Sequence, residues 1–385
     1  MKRIATNSML SSWGKCRELF ALRYVDLLVP ARTPRAPSYG TLFHRLVEGL
    51  WRDQGLTAVI ESWRNELITA AVEQQMAVKE QYGLDDEMVV RSVEDQCNEI
   101  ATECIELVRY YKKQVFDRER ERYTPIFIEQ TFEVPLVDRA GRRHRTWRLS
   151  GKWDVVLRDN DTGKVWLRDY KTTNRRYASD LATTLEMDTQ PVAYTYASHY
   201  LATVEGDHGA PPPEDVPAWP NGIPPISGFE LEIVRKKVPQ EPGLLKKGGL
   251  SKAQGIDTTP ELYRQAIRRN NLSEADYSDV LEMLEKRGNS FHHRQQIPVG
   301  PKEIERWVHE TRLALEDIRR VELHRDLAYR ADQSICTNMY GKRCVYHDLC
   351  FGDAEAARCD FIIQKRHVEL NETPAEIYRC LVGDD

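Results

Sequence analysis

The sequence predicts an α/β fold, and three observations carry that prediction. Runs rich in β-branched and aromatic residues cluster between 125 and 173 and recur at 226–238. Apolar residues at helical spacing fill the stretches before and between them, at 38–53, 56–114 and 184–201. The Pro- and Gly-rich stretch 204–225 interrupts this pattern as a surface loop.

Composition narrows the reading. The chain has 385 residues, 41% hydrophobic and 30% charged, enough for one large domain or two modest ones. Its first residues lack an apolar signal region, and no later run approaches the roughly 18 apolar residues of a membrane span. A cytoplasmic protein without membrane contact is expected. The net charge of −5 gives no overall sign of nucleic acid. The basic clusters Arg142–Arg143, Arg175–Arg176, Arg235 to Lys237 and Lys246–Lys247 would serve DNA only if they shared one face. Eight cysteines in such a chain favour a metal or cluster over a disulfide framework.

Taken in order, SMLSSWGKCRELFALRYVDLL reads as one helix opened by Ser11 or Ser12, with Cys16 on it. After the Pro-rich link VPARTPRAP, a second helix buries Leu42, Leu46, Val47 and Leu50 beside His44. Long helical patterns follow, where Cys97 and Cys104 share one face as core residues. PIFIEQTFEVPLVD and HRTWRLSG are strands leading into a hairpin, GKWDVVLRDNDTGKVWLRDYKTT. A turn centred on Asp161–Thr162 places Asp154 opposite Asp169, about 5 Å apart. Alternation puts Lys171 on the face of Asp169 and turns Tyr170 away. Two carboxylates and an ammonium therefore converge, a set that suits Mg²⁺ or Mn²⁺ with a lysine-oriented water. A solvated cross-strand ion-pair cluster is the alternative on the hairpin alone.

Beyond the hairpin, a helix places Gln190 and Tyr194 four residues apart on one face, and ISGFELEIVRKKV is another strand. LLKKGGLSKAQG is a Lys- and Gly-rich loop without the phosphate-cradling pattern of an NTPase, so the chain has no motor of its own. Helices are expected at 260–288 and 301–329. Near the end, Cys336, Cys344 and Cys350 form a C-x7-C-x5-C trio. His347 would complete a zinc site locally, or Cys16 a four-cysteine iron–sulfur site, and spacing does not choose between them. Cys359 and Cys380 fall outside the trio.

In this order the set resembles the PD-(D/E)XK nuclease superfamily, specifically its RecB-like exonuclease branch, over residues 8–352. The matching residues are FHRLVEGL with His44, GKWD with Asp154, RDYK with Asp169 and Lys171, and Q-x-x-x-Y with Gln190 and Tyr194. The resemblance implies an αβββαβ core, a mixed central sheet flanked by helices. It further implies metal ligation by His44, Asp154, Asp169 and the Tyr170 carbonyl, catalysis with Lys171, and a DNA site shaped by Gln190 and Tyr194. Cys16 and the trio resemble the 4Fe–4S cluster of AddB-type members, although the first gap is seven residues where the family pattern has two.

The implied layout is a single nuclease domain over 1–385. It has an N-terminal segment at 1–35, a helical insertion at 56–120, a catalytic sheet core at 125–238 and a helical region at 260–352 with the trio. The implied activity is Mg²⁺- or Mn²⁺-dependent exonuclease cleavage of DNA, in phage or bacterial recombination, repair or replication, alongside a separate helicase or recombinase. The rival readings are a non-catalytic DNA-binding adaptor with the same fold and a zinc-stabilised structural protein.

Overall fold

The computed structural model describes residues 3–30, 35–82, 87–185, 188–203, 219–246, 248–253, 255–331, 333–337, 343–358 and 361–363. A short strand, β1 (Arg3–Ala5), precedes helices α1 (Asn7–Lys15) and α2 (Arg17–Tyr24). Strand β2 (Leu28–Pro30) leads to helices α3 (Arg35–Trp51), α4 (Leu56–Tyr82) and α5 (Glu87–Tyr111). A π-helical turn at Lys112–Phe116 continues into α6 (Asp117–Arg122). Strands β3 (Tyr123–Val137), β4 (Arg143–Asp159) and β5 (Val165–Thr173) come next, then α7 (Ser179–Leu185), α8 (Gln190–Thr203) and β6 (Gly228–Arg235). Helices α9 (Pro260–Arg269) and α10 (Ser278–Arg287) precede β7 (His292–Pro298) and α11 (Pro301–Leu323). The last elements are α12 (Gln333–Cys336), α13 (His347–Phe351), α14 (Ala354–Arg358) and β8 (Phe361–Ile363).

The first helix expected from sequence is two helices. The chain is extended at Cys16, with φ −161°, and the Cys16 thiol caps α2 by accepting from the Leu19 N–H. Thr6, rather than Ser11 or Ser12, caps α1 through its hydroxyl. The helix expected over 184–201 also divides, and its second part begins at Gln190.

The DNDTGK turn sets the register of the sheet. Asp159 Oδ1 accepts from the N–H groups of Asp161 and Thr162 at 2.9 and 3.1 Å, and Gly163 takes a left-handed φ of +70°. Val155 consequently pairs with Arg168 and Leu157 with Trp166, the register of a turn centred on Asp161–Thr162. Along its other edge β4 pairs antiparallel with β3, from Tyr123–Asp159 to Val137–Arg143. β1 lies parallel beside Trp147 to Leu149, on the edge that β5 occupies further along. β6 is parallel to β5 and β7 antiparallel to β6, so the sheet is mixed. Two of its strands, β1 and β7, come from outside the 125–238 span.

One face of the sheet packs Trp147, Leu149, Leu167 and Phe229 with α1, α2, α8 and α11. The other packs Val155, Leu157, Tyr170 and Val234 with α3 and α5. A small separate core of Leu250, Tyr263, Ile267, Tyr277 and Leu284 forms between β6 and β7. Among the described residues no helix is long and apolar enough to cross a membrane.

Every residue of β6 is buried, including Glu230 and Glu232. Such charges need partners, because an unpaired buried ion is costly. Arg168 Nη2 reaches Glu230 at 2.8 Å and Glu119 at 2.9 Å. Glu232 accepts from Arg294 Nε at 2.6 Å and the Tyr111 hydroxyl at 3.0 Å, and His292 Nε2 lies 2.6 Å away. Burial would raise the Glu232 carboxyl, but His292 and Arg294 outweigh it and hold it far below the ordinary 4.5. A depressed pKa adds stability above that ordinary value, and the stability is lost as pH falls toward the folded value. Urea unfolding of the wild type should therefore shift to lower midpoints as pH drops below 4.5. Glu232→Gln should cost about 3–5 kcal/mol at neutral pH and flatten that slope. An unchanged slope would show that Glu232 does not carry it.

Candidate active site

The ladder between β4 and β5 stops at Val155–Arg168, and the strands part there. The Tyr170 N–H donates instead to Asp154 Oδ2 at 2.9 Å. His44, from α3, places Nδ1 3.2 Å from the same oxygen. Asp169 receives Gln190 Nε2 on Oδ1 at 3.2 Å, and Lys171 Nζ lies 2.6 Å from Oδ2. The lysine contact is poorly aligned as a hydrogen bond, so this buried oxygen keeps acceptor capacity. The structure thus brings His44, Asp154, Asp169, Lys171 and Gln190 to one place.

Tyr170 turns to the opposite face, as alternation requires. Its hydroxyl accepts from Trp51 Nε1 at 3.0 Å, which ties α3 and therefore His44 to β5. Tyr194 lies one turn after Gln190 and meets the Phe132 ring edge-on at 5.3 Å. Gly151 makes room for it, because a Cβ there would stand 2.7 Å from the Phe132 ring and 2.9 Å from the Tyr194 ring.

The charges respond to this crowding. Burial would raise the Asp154 carboxyl, but His44, Lys171 and the Tyr170 N–H outweigh it and hold it at about 2. Asp169 is raised by burial, against the pull of Lys171, and Asp154 adds to the rise. His44 is raised as well, because Asp154 overcomes the effect of burial. Lys171 is raised, its two carboxylate neighbours overcoming burial.

Glu129 was not among the candidate residues, yet it belongs to this cluster. It lies on β3 across from Asp154, between the pairs Ile128–Val155 and Gln130–Trp153. Its φ is +49°, a left-handed value uncommon outside glycine. Lys152 Nζ sits 2.6 Å from its carboxylate. Burial and Asp154 push the Glu129 carboxyl up to about 7 against Lys152. Ligand atoms of His44, Glu129 and Asp154 all lie within 4.8 Å of one another. One imidazole and hard carboxylate oxygens at this spacing fit Mg²⁺ or Mn²⁺. In the sequence Glu129 looks like a solvent-facing residue of an alternating strand. Only the pairing of β3 with β4 reveals it.

Cys16, Cys336, Cys344 and Cys350 line one small pocket with Tyr346 and His347. At the two ends of the seven-residue gap Thr337 is bridged to Arg343, and the Cys344 N–H donates to the Cys336 carbonyl at 2.7 Å. Cys16 Sγ accepts from the Ala331 N–H at 3.3 Å. Four half-buried thiols around one pocket, with amide donors to sulfur, fit a cluster or metal. Cys97 and Cys104 lie in the α3–α5 core, where burial pushes their thiols up to about 11 and about 12. Cys359 and Cys380 are outside the described residues.

The basic clusters are largely engaged within the fold. Arg235 and Lys237 both reach Asp257 at 2.6 Å, Lys236 stacks over Tyr39 and Arg142 pairs with Asp138.

The family model of the PD-(D/E)XK nuclease superfamily matches residues 5–351. No curated protein matches the chain.

The packing around Gly151 is directly testable. Gly151→Ala should cost about 1–3 kcal/mol in urea unfolding, because the new methyl displaces two rings. A neutral substitution would show that the Phe132–Tyr194 contact is loose.

Proposed function

Because the chain belongs to the PD-(D/E)XK nuclease superfamily, we propose that it is a metal-dependent deoxyribonuclease. We assign it to the RecB-like branch, acting as an exonuclease in phage or bacterial DNA recombination, repair or replication. The observation that carries this reading is the convergence of His44, Asp154, Asp169 and Lys171 where β4 and β5 part. His44, Asp154, Asp169 and the Tyr170 carbonyl would hold Mg²⁺ or Mn²⁺. When bound, the cation supplies positive charge to the scissile phosphate and acidifies a water. Lys171 orients the attacking water, its ammonium fixed by Asp169. Gln190 holds the Asp169 carboxylate, and Tyr194 walls the cleft for the DNA strand. The chain has no NTPase phosphate loop, so a separate helicase or recombinase would open or load the DNA.

End-labelled single- and double-stranded DNA, with closed circular DNA beside them, tests this under Mg²⁺ or Mn²⁺. Ended substrates should be degraded and closed circles spared. Asp154→Asn and Lys171→Ala should lower the rate on the order of 10³-fold or more, since each removes charge from a charged transition state. Near-native cleavage by Asp154→Asn would overturn the assignment.

The cysteine pocket supports a resident 4Fe–4S cluster held by Cys16, Cys336, Cys344 and Cys350. The purified protein should then be brown with about four irons per chain. Cys16→Ala, Cys344→Ala and Cys350→Ala should bleach it, whereas Cys97→Ala and Cys104→Ala should not. Zinc released by His347→Ala would identify a zinc site instead.

A further inference from the structure

The carboxylate that the motifs do not include, Glu129, stands on the opposite side of Asp154 from β5. Its neighbour Lys152 precedes Asp154 by two residues on β4, so both side chains project from one face of that strand. The Glu129–Lys152 pair is mostly buried, with side-chain exposures of 15% and 26%. Two carboxylates this close repel each other strongly where water is scarce. His44 offsets Asp154, and Lys152 offsets Glu129. The lysine therefore occupies the position of charge compensation that a cation would fill.

We propose that Glu129 is a further side-chain ligand of the metal centre, and that Lys152 is an internal counter-ion which the arriving cation displaces. The inference rests on the metal-dependent reading above and adds a ligand to it. Bonds of about 2.1 Å hold opposite ligands of one octahedral cation about 4.2 Å apart. The three ligand atoms, within 4.8 Å of one another, close on an ion with small side-chain movements. Lys152 has somewhere to go. It rides on a flexible four-carbon stem, it is partly exposed, and the charge of Glu48, one turn beyond His44 on α3, already acts on it. The left-handed backbone at Glu129 orients a carboxylate from an edge position toward Asp154 and His44.

Titration of the full-length protein with Mn²⁺ alone, followed by calorimetry or by the electron paramagnetic resonance of free Mn²⁺, separates the possibilities. Glu129→Gln should weaken binding about 10-fold or more, and Lys152→Met should tighten it several-fold. These opposite signs distinguish ligation from a general loss of structure, which would weaken both. Wild-type affinity in Glu129→Gln, or weaker binding in a folded Lys152→Met, overturns the inference while leaving the nuclease reading intact. Absence of Mn²⁺ binding by the wild type would overturn the metal-dependent reading itself. Should Glu129→Gln fail to fold, Lys152→Met still decides the matter.

Discussion

The bond from the Tyr170 amide to Asp154 is the constraint around which the site is built. Where β5 leaves β4, the Tyr170 N–H loses its place in the ladder, and a buried amide requires an acceptor. The Asp154 carboxylate supplies one and is thereby held in a single orientation. The same residue is held from the other face, because the Tyr170 hydroxyl takes the Trp51 N–H and so locks α3 against β5. His44 rides on that helix seven residues earlier, which brings its imidazole to the carboxylate. Backbone geometry, rather than the charged groups alone, gives the cluster its shape.

A second set of charges lies beneath it. Arg168 and Tyr170 both point to the α3–α5 side of β5, where Glu119, Glu230, Glu232, Arg294 and His292 form a buried network. Tyr111 joins the two levels, donating to Glu232 while its ring meets Tyr170 edge-on at 6.3 Å. A network in which each charge faces an opposite one is rigid, since moving any member strands another charge. The strand that carries Asp169 and Lys171 is thus clamped from below.

The N-terminal helices are tied to residues 325–346. Arg325 binds Glu18 and Asp26 at 2.8–3.2 Å, and the Tyr346 hydroxyl donates to the Leu28 carbonyl at 2.7 Å. These contacts hold the Cys16 bend against the C-terminal cysteines. At the other end of α1, Asn7 contacts Thr189 at 2.9 Å and Asp188 at 3.4 Å, immediately before Gln190. The N-terminal helices therefore connect the cysteine pocket to the start of the helix whose first residue contacts Asp169.

What the sequence determined by itself is local or periodic. The DNDTGK residues are turn formers, so the register of β4 and β5 could be read directly, although the ladder ends at Val155–Arg168, one pair short of Asp154 and Asp169. The opposed directions of Lys171 and Tyr170 could be read as well. The ordered motifs likewise pointed to the superfamily whose model covers 5–351. Tertiary structure decided what depends on partners distant in sequence. β7 was not legible because HHRQQIP lacks an apolar alternation; its polar side chains Arg294 and Gln296 join the sheet by meeting Glu232 and Glu230, which are distant in sequence. The break at Cys16 was hidden because a thiol rarely caps a helix, and this one also takes an amide from Ala331. Glu129 became part of the site only through the pairing of β3 with β4, because a carboxylate on an alternating strand is indistinguishable from a solvated one until the neighbouring strand places Asp154 beside it.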